Sequence, residues 1–146
     1  MYCTRNVSDS VVWVGASDRR LALFENLFPI PRGVSYNSYL ILDEKTALLD
    51  TTDASVTRQY LENVSHSLNG KPLDYLIINH MEPDHCANIA ELLLHYPHLT
   101  LVGNAKTFAF VSQFYDLDLT GRTLTVKEGD TLCLGSHTLH FFLAPM

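Results

Sequence analysis

Four side chains able to bind a metal fall within six positions: His80, Glu82, Asp84 and His85. Imidazole nitrogens and carboxylate oxygens are ligands for first-row divalent ions. On an extended loop, His80, Glu82 and Asp84 occupy alternate positions and can point similar ways. His85, adjacent to Asp84, need not face the same ion. The pattern therefore suits two neighbouring metals, His80 and Glu82 on the first and Asp84 and His85 on the second. Two carboxylates among four ligands make an anionic, oxygen-rich site, which favours iron or manganese over a thiolate-rich zinc site. A polar loop with two incidental histidines seldom crowds four such groups directly behind an apolar run.

The elements around these residues decide where they sit. Residues 75–78 have the aromatic, β-branched and aliphatic content of a buried strand. Met81-Glu82-Pro83 then breaks the regular backbone, since proline removes a donor and restricts its predecessor. Asn88 with Glu91 three residues on reads as a capped helix start. The four candidates are thus expected on a loop at the carboxyl end of a strand, where α/β sheets place their chemistry.

Upstream, residues 11–15 read as a strand, residues 18–28 fit no single period, and Pro29, Pro31 and Gly33 mark a loop. Residues 35–43 and 46–50 form a predicted hairpin through Asp43-Glu44-Lys45. Asp50 closes its second strand and is a candidate for hydrogen-bonding the ligand loop and orienting the ligands. A turn-forming role is its alternative. Asp53 is a candidate N-cap for a helix with Val56, Tyr60, Leu61, Val64 and Leu68 on one face, ended by Gly70 and Pro72.

Downstream, Ile89, Leu92, Leu93 and Tyr96 line a helix closed by Pro97, with His95 and His98 as solvated cations at its end. A strand over 100–103 and a helix capped by Asn104 follow. Residues 122–126, 131–134 and 138–143 read as strands. His137 and His140 are expected in a turn or on an exposed face.

Composition narrows the class. A chain of 146 residues with 47% apolar and 18% charged side chains suits one globular domain. A formal charge of −6 argues against nucleic acid and gives no pull toward anionic lipid. Three cysteines, Cys3, Cys86 and Cys133, form no CxxC pair, so a reducing compartment is expected. Cys86 beside His85 reads as a small buried hydrophobe before it reads as a ligand. Neither a signal peptide nor an apolar run approaching the ~20 residues of a membrane span is evident. The expected location is the cytoplasm.

His80-x-Glu82-x-Asp84-His85 resembles the metallo-β-lactamase superfamily motif His-x-His-x-Asp-His, with glutamate in place of the second histidine. That replacement marks the flavodiiron proteins. Other stretches agree: Val12-Trp13-Val14-Gly15, Gly33-Val34-Ser35-Tyr36-Asn37-Ser38-Tyr39-Leu40, Leu48-Leu49-Asp50-Thr51 and Ala144-Pro145-Met146. The resemblance implies a metallo-β-lactamase-like αββα sandwich and a non-haem di-iron site that reduces dioxygen, nitric oxide or both. It further implies FMN on a following flavodoxin-like domain, a rubredoxin-like or flavin reductase electron donor, and a head-to-tail homodimer. Within it, His80 and Glu82 hold the iron nearer the flavin, and Asp84 and His85 hold the distal one. In some relatives the counterpart of His85 stays off the metal. In others a histidine near the position of Glu25 approaches the distal iron; Glu25 reads as a surface glutamate.

In the resembling family, Ala-Pro-Met is followed by a third histidine ligand in a His-Trp-Pro context, and a bridging aspartate and last histidine come later. The given chain is therefore read as the amino-terminal half of that sandwich, with the remaining ligands and the flavodoxin-like domain outside it. Such a half is expected to leave apolar sheet surface bare and to have no appreciable reductase activity alone. Two other readings stand beside this one. A superfamily hydrolase would use a metal-bound water on an ester or amide and favours histidine at position 82. A non-catalytic truncated module would bind or assemble only.

Overall fold

The apolar positions sort onto the two faces of one sheet. The computed structural model of the chain describes residues 1–144. Pro145 and Met146, and with them most of the Ala144-Pro145-Met146 element, lie outside the described residues. The chain begins with β1 (Arg5–Asn6), β2 (Val11–Trp13), β3 (Ala16–Asp18), β4 (Leu23–Phe24), β5 (Phe28–Pro29), β6 (Val34–Tyr36), β7 (Tyr39–Ile41) and β8 (Ala47–Leu49). A 3-10 turn (Ala54–Val56) leads into α1 (Thr57–Leu68), followed by β9 (Tyr75–Ile77), α2 (Pro83–Cys86) and α3 (Ile89–His95). The rest is β10 (Thr100–Gly103), α4 (Ala105–Phe114), β11 (Thr123–Thr125), β12 (Thr131–Cys133) and β13 (Thr138–His140).

Seven strands form a sheet in the order β1-β2-β7-β8-β9-β10-β11. From β1 to β8 each adjacent pair is antiparallel, and β8, β9, β10 and β11 are mutually parallel. Register explains the packing. Val12 pairs with Leu40, Leu40 with Leu48, Leu48 with Leu76, and Leu76 with Leu101. Side chains alternate along a strand, so this row shares one face. There it packs with Tyr60, Val64, Leu68, Ile89, Leu92, Leu93 and Val111 of α1, α3 and α4. Each fully buried leucine contributes about 1.5–3 kcal/mol.

The opposite face carries Ile41, Ala47, Ile77 and Val102, covered by Leu132, Leu134, Leu139 and Phe141 of the β12–β13 hairpin and its flanks. The expected bare face is thus corrected: these four sheet residues are buried. The chain's own hairpin begins the second β layer. Leu124, Phe142 and Leu143 stay exposed at its margin. Helices, mixed sheet and hairpin give three successive layers of the αββα arrangement.

The expected cap holds at α4, whereas Asp53 caps the 3-10 turn and α1 itself begins without a side-chain cap. Asp53 accepts from the Ser55 N–H at 2.8 Å ahead of α1. Asn104 accepts from the Thr107 N–H at 2.8 Å at the start of α4. Elsewhere local reading differs from the structure. The strand expected over 35–43 is two elements, because β6 pairs with β3 while β7 pairs with β2 and β8. The ambiguous stretch 18–28 holds the β4–β5 ribbon, whose turn residues Glu25 and Asn26 both have left-handed φ of 51° and 57°. The Leu27 N–H closes this turn on the Phe24 carbonyl at 3.0 Å, and Leu27 completes a three-residue connection to Phe28.

Candidate metal centre

Parallel pairing of β8 and β9 brings their carboxyl ends together. Leu49 lies opposite Ile77, so Asp50, the next residue of β8, meets the chain leaving β9. Its N–H donates to the Ile77 carbonyl at 2.9 Å. Asp50 is 7% exposed and has a φ of 54°, a conformation uncommon for a residue with a Cβ. Surrounding bonds hold it there. Its carbonyl accepts from the Ser38 hydroxyl at 3.0 Å and from the buried Tyr60 hydroxyl at 3.1 Å.

The Asp50 carboxylate accepts from the Asn79 N–H at 2.7 Å and the Asn79 amide at 3.2 Å. Its second oxygen lies 3.2 Å from His85 Nδ1. A carboxylate cannot donate, so Nδ1 carries the proton. This hydrogen bond raises the His85 pKa above the usual imidazole range, with burial working against it and the Asp50, Asp84 and Glu82 charges adding to it.

Asp84 and His85 do not sit on an extended loop. Pro83 occupies the first position of α2, Glu82 before it is extended (φ −71°, ψ 150°), and the Glu82 carbonyl accepts from the N–H groups of His85 and Cys86. Proline at a helix start is preorganised for that turn. The alternation argument therefore fails from residue 83 onward, and helical spacing replaces it.

The cluster that results is Asp50, His80 and His85, each offering one ligand atom within 4.8 Å of the others. The His80 and His85 rings lie 4.0 Å apart, and Asp84 Oδ2 is 3.5 Å from His85 Nε2. Glu82 is exposed and outside this group. Two atoms here are telling: His80 Nδ1 and Asp84 Oδ1 are buried and have no hydrogen-bond partner among the described residues. Buried polar atoms are nearly always satisfied. An unfilled imidazole nitrogen and carboxylate oxygen beside this cluster fit a bound divalent cation, and the oxygen-and-imidazole donor set suits iron.

Cys86 is buried, its thiol pushed up by burial and donating to the Met81 carbonyl at 3.3 Å. That is the environment of a protonated thiol. Asn88 does not cap α3 with its side chain. It donates instead to the Thr52 carbonyl at 2.8 Å and hydroxyl at 3.0 Å, and accepts from the Thr57 hydroxyl. Thr51 donates from N–H and hydroxyl to the His85 carbonyl at 2.8 and 2.9 Å. These ties join the exit of β8 to α2 across more than thirty residues. Sequence reasoning found Asp50, read Asn88 only as a helix cap, and gave no role to Asn79 or Thr51, whose partners are remote in the chain. His95 is exposed as expected. His137 is not simply a turn residue: its ring bonds to Asp43 and Ser10.

A family model described as ODP family beta lactamase matches residues 34–146. The chain is 33% identical over 142 residues to the anaerobic nitric oxide reductase flavorubredoxin of Klebsiella pneumoniae, covering 96% of this chain and 29% of that protein. Among solved structures, rubredoxin oxygen:oxidoreductase from Desulfovibrio gigas superposes with a TM-score of 0.87 at 31% identity, over 96% of this chain and 35% of that one. The flavodiiron protein from Giardia intestinalis gives a TM-score of 0.86 at 25% identity, over 94% and 33%. The chain spans between 21% and 35% of the length of the curated relatives it matches.

Proposed function

From a chain that belongs to the ODP family of beta-lactamase domains, in the form carried by flavodiiron proteins, we propose that His80, Glu82, Asp84 and His85 are its ligands to a non-haem di-iron centre. The whole protein is then an oxidoreductase acting on dioxygen, nitric oxide or both. FMN on a flavodoxin-like domain, a rubredoxin-type or flavin reductase donor, a head-to-tail homodimer and a cytoplasmic location complete the same reading. Relatives named for nitric oxide reduction and for rubredoxin:oxygen oxidoreduction support the substrate class. Among the described residues, no helix is long and apolar enough to cross a membrane.

The observation that carries the proposal is the pair of unsatisfied buried atoms, His80 Nδ1 and Asp84 Oδ1, beside the Asp50–His80–His85 cluster. When bound, the irons supply a place for a diatomic ligand and electrons to reduce it. This chain's residues supply the frame. Asp50 fixes the His85 ring and the Asn79 backbone at once, and with its oxygen close to the two imidazoles it is positioned to act on the metal directly or through His85. Asp84 and His85 share one turn of helix, which sets their spacing rigidly. Glu82, exposed just ahead of that turn, takes the solvent side.

Anaerobic titration of the chain with Fe(II), read as metal bound per chain, tests this. Saturable binding that His80→Ala or His85→Ala removes and His98→Ala leaves intact is expected. Binding indifferent to His80→Ala and His85→Ala would overturn it.

A further inference from the structure

At the other end of the sheet, three residues remote in sequence line up. Asp43 lies beyond the carboxyl end of β7, in the turn before β8. Its Oδ2 is 2.7 Å from His137 Nδ1, and His137 Nε2 is 2.9 Å from the Ser10 hydroxyl. β7 and β8 are antiparallel, with Ile41 opposite Ala47, so this group sits at the amino end of the parallel strands, away from Asp50, His80 and His85.

The order of bonds fixes the protons. Asp43 accepts N–H bonds from Glu44 at 2.7 Å, Ser136 at 3.1 Å and His137 at 2.7 Å, besides the ring. Burial works against its charge, but the His137 ring bond and these backbone donors outweigh it, and the carboxyl stays well below its usual range. As a pure acceptor it requires a proton on His137 Nδ1, and in the tautomer protonated there alone Nε2 turns its lone pair toward Ser10. The Ser10 hydroxyl must then be the donor. The same carboxylate packs against Gly135, where a Cβ would meet Asp43 Oδ1 at 2.6 Å. Both ends of the relay are anchored, since the Ser10 carbonyl accepts from the Leu42 N–H at 2.8 Å. The Asp43 side chain is 6% exposed and that of His137 38%, so the histidine is reachable from solvent while its partner is not.

We propose that Ser10, His137 and Asp43 form a nucleophile relay in which Ser10 accepts an acyl group from small activated esters. His137 acts as general base and Asp43 sets its tautomer and orientation. In the step, Ser10 Oγ bonds to the ester carbonyl carbon and the carbon–oxygen bond to the leaving alcohol breaks. The hydroxyl proton passes to His137 Nε2 and from there to the departing alkoxide. No electron donor or metal takes part, and the relay stands independently of the di-iron reading.

Incubation of the full chain with p-nitrophenyl acetate tests it. Nitrophenolate release is followed, and peptide mapping by mass spectrometry locates the acetyl group. The expected result is preferential acetylation of Ser10, absent in Ser10→Ala and retained in Ser8→Ala, the neighbouring hydroxyl. His137→Ala should slow acetylation at Ser10 by roughly 100-fold or more, with partial rescue by added imidazole. Because imidazole alone cleaves p-nitrophenyl acetate, rescue is scored as acetyl on Ser10 relative to other serines in the same sample; only Ser10-selective rescue separates a base from a mere clamp. No preference for Ser10 over other exposed serines would overturn the proposal, as would an undiminished rate in His137→Ala or a lost rate that imidazole does not restore.

Discussion

Two aspartate–histidine pairs stand at opposite ends of the same parallel strands. Asp50 with His85 marks the carboxyl end, and Asp43 with His137 the amino end. In both, the carboxylate accepts from backbone N–H, one for Asp50 and three for Asp43, and from an imidazole Nδ1–H. They differ in what is left over. Around Asp43 the bonding is complete: backbone donors fill the carboxylate, and the far ring nitrogen has Ser10. Around Asp50, His80 Nδ1 and Asp84 Oδ1 have no partner among the described residues. A finished network holds structure in place or passes a proton within itself. An unfinished buried one has room for an outside group, and the ligand types present fit the metal proposed above.

The largest expected effect removes what the two ends share. Leu48 is fully buried in the middle of the leucine row, paired with Leu40 and Leu76. Leu48→Ala should cost about 2–5 kcal/mol, read as a lowered urea midpoint, and should weaken both ends together. An effect confined to one end would break the idea of a common scaffold.

Next comes the contrast itself. Asp50→Ala should weaken Fe(II) binding roughly 10–100-fold, whereas Asp43→Ala should leave it unchanged. Equal losses would mean that neither end is specialised. Gly135→Ala is smaller and one-sided. With φ at 126° and a Cβ 2.6 Å from Asp43 Oδ1, it should cost about 1 kcal/mol or more. Hydrogen exchange should quicken in β12 and β13 while β9 and α2 stay protected.

The smallest effect is in acid. Asp43 has a folded pKa below its unfolded value, so the stability it adds is present above about pH 4 and is lost as pH falls through the folded pKa. Between about pH 6 and about pH 3 the native chain should therefore lose more stability than Asp43→Asn. Parallel declines would remove Asp43 from the account. Asp18, held down by the Arg20 N–H, contributes the same sign in both proteins and cancels.

Much of the fold was legible residue by residue. The stripe Tyr60, Leu61, Val64 and Leu68 gave α1, with Val56 and its cap Asp53 in the 3-10 turn before it; Asn104 gave the start of α4, and residues 75–78 gave the strand ahead of the ligand-type residues. The β6–β7 division was not legible, because 35–43 has strand composition throughout and only its partners divide it. Nor was the Asn88 side chain, a good cap by type that found stronger partners in Thr52 and Thr57.

By itself, then, the sequence determined most of the longer elements, the four crowded metal-binding types and the family, since periodicity, capping and motif spacing are local properties of the chain. The tertiary structure alone decided that Asp50 reaches His85 from 35 positions away and that His137 reaches Asp43 from 94. Those meetings depend on which strand lies beside which. Strand pairing is a choice among backbone hydrogen-bond partners that no stretch of chain makes alone.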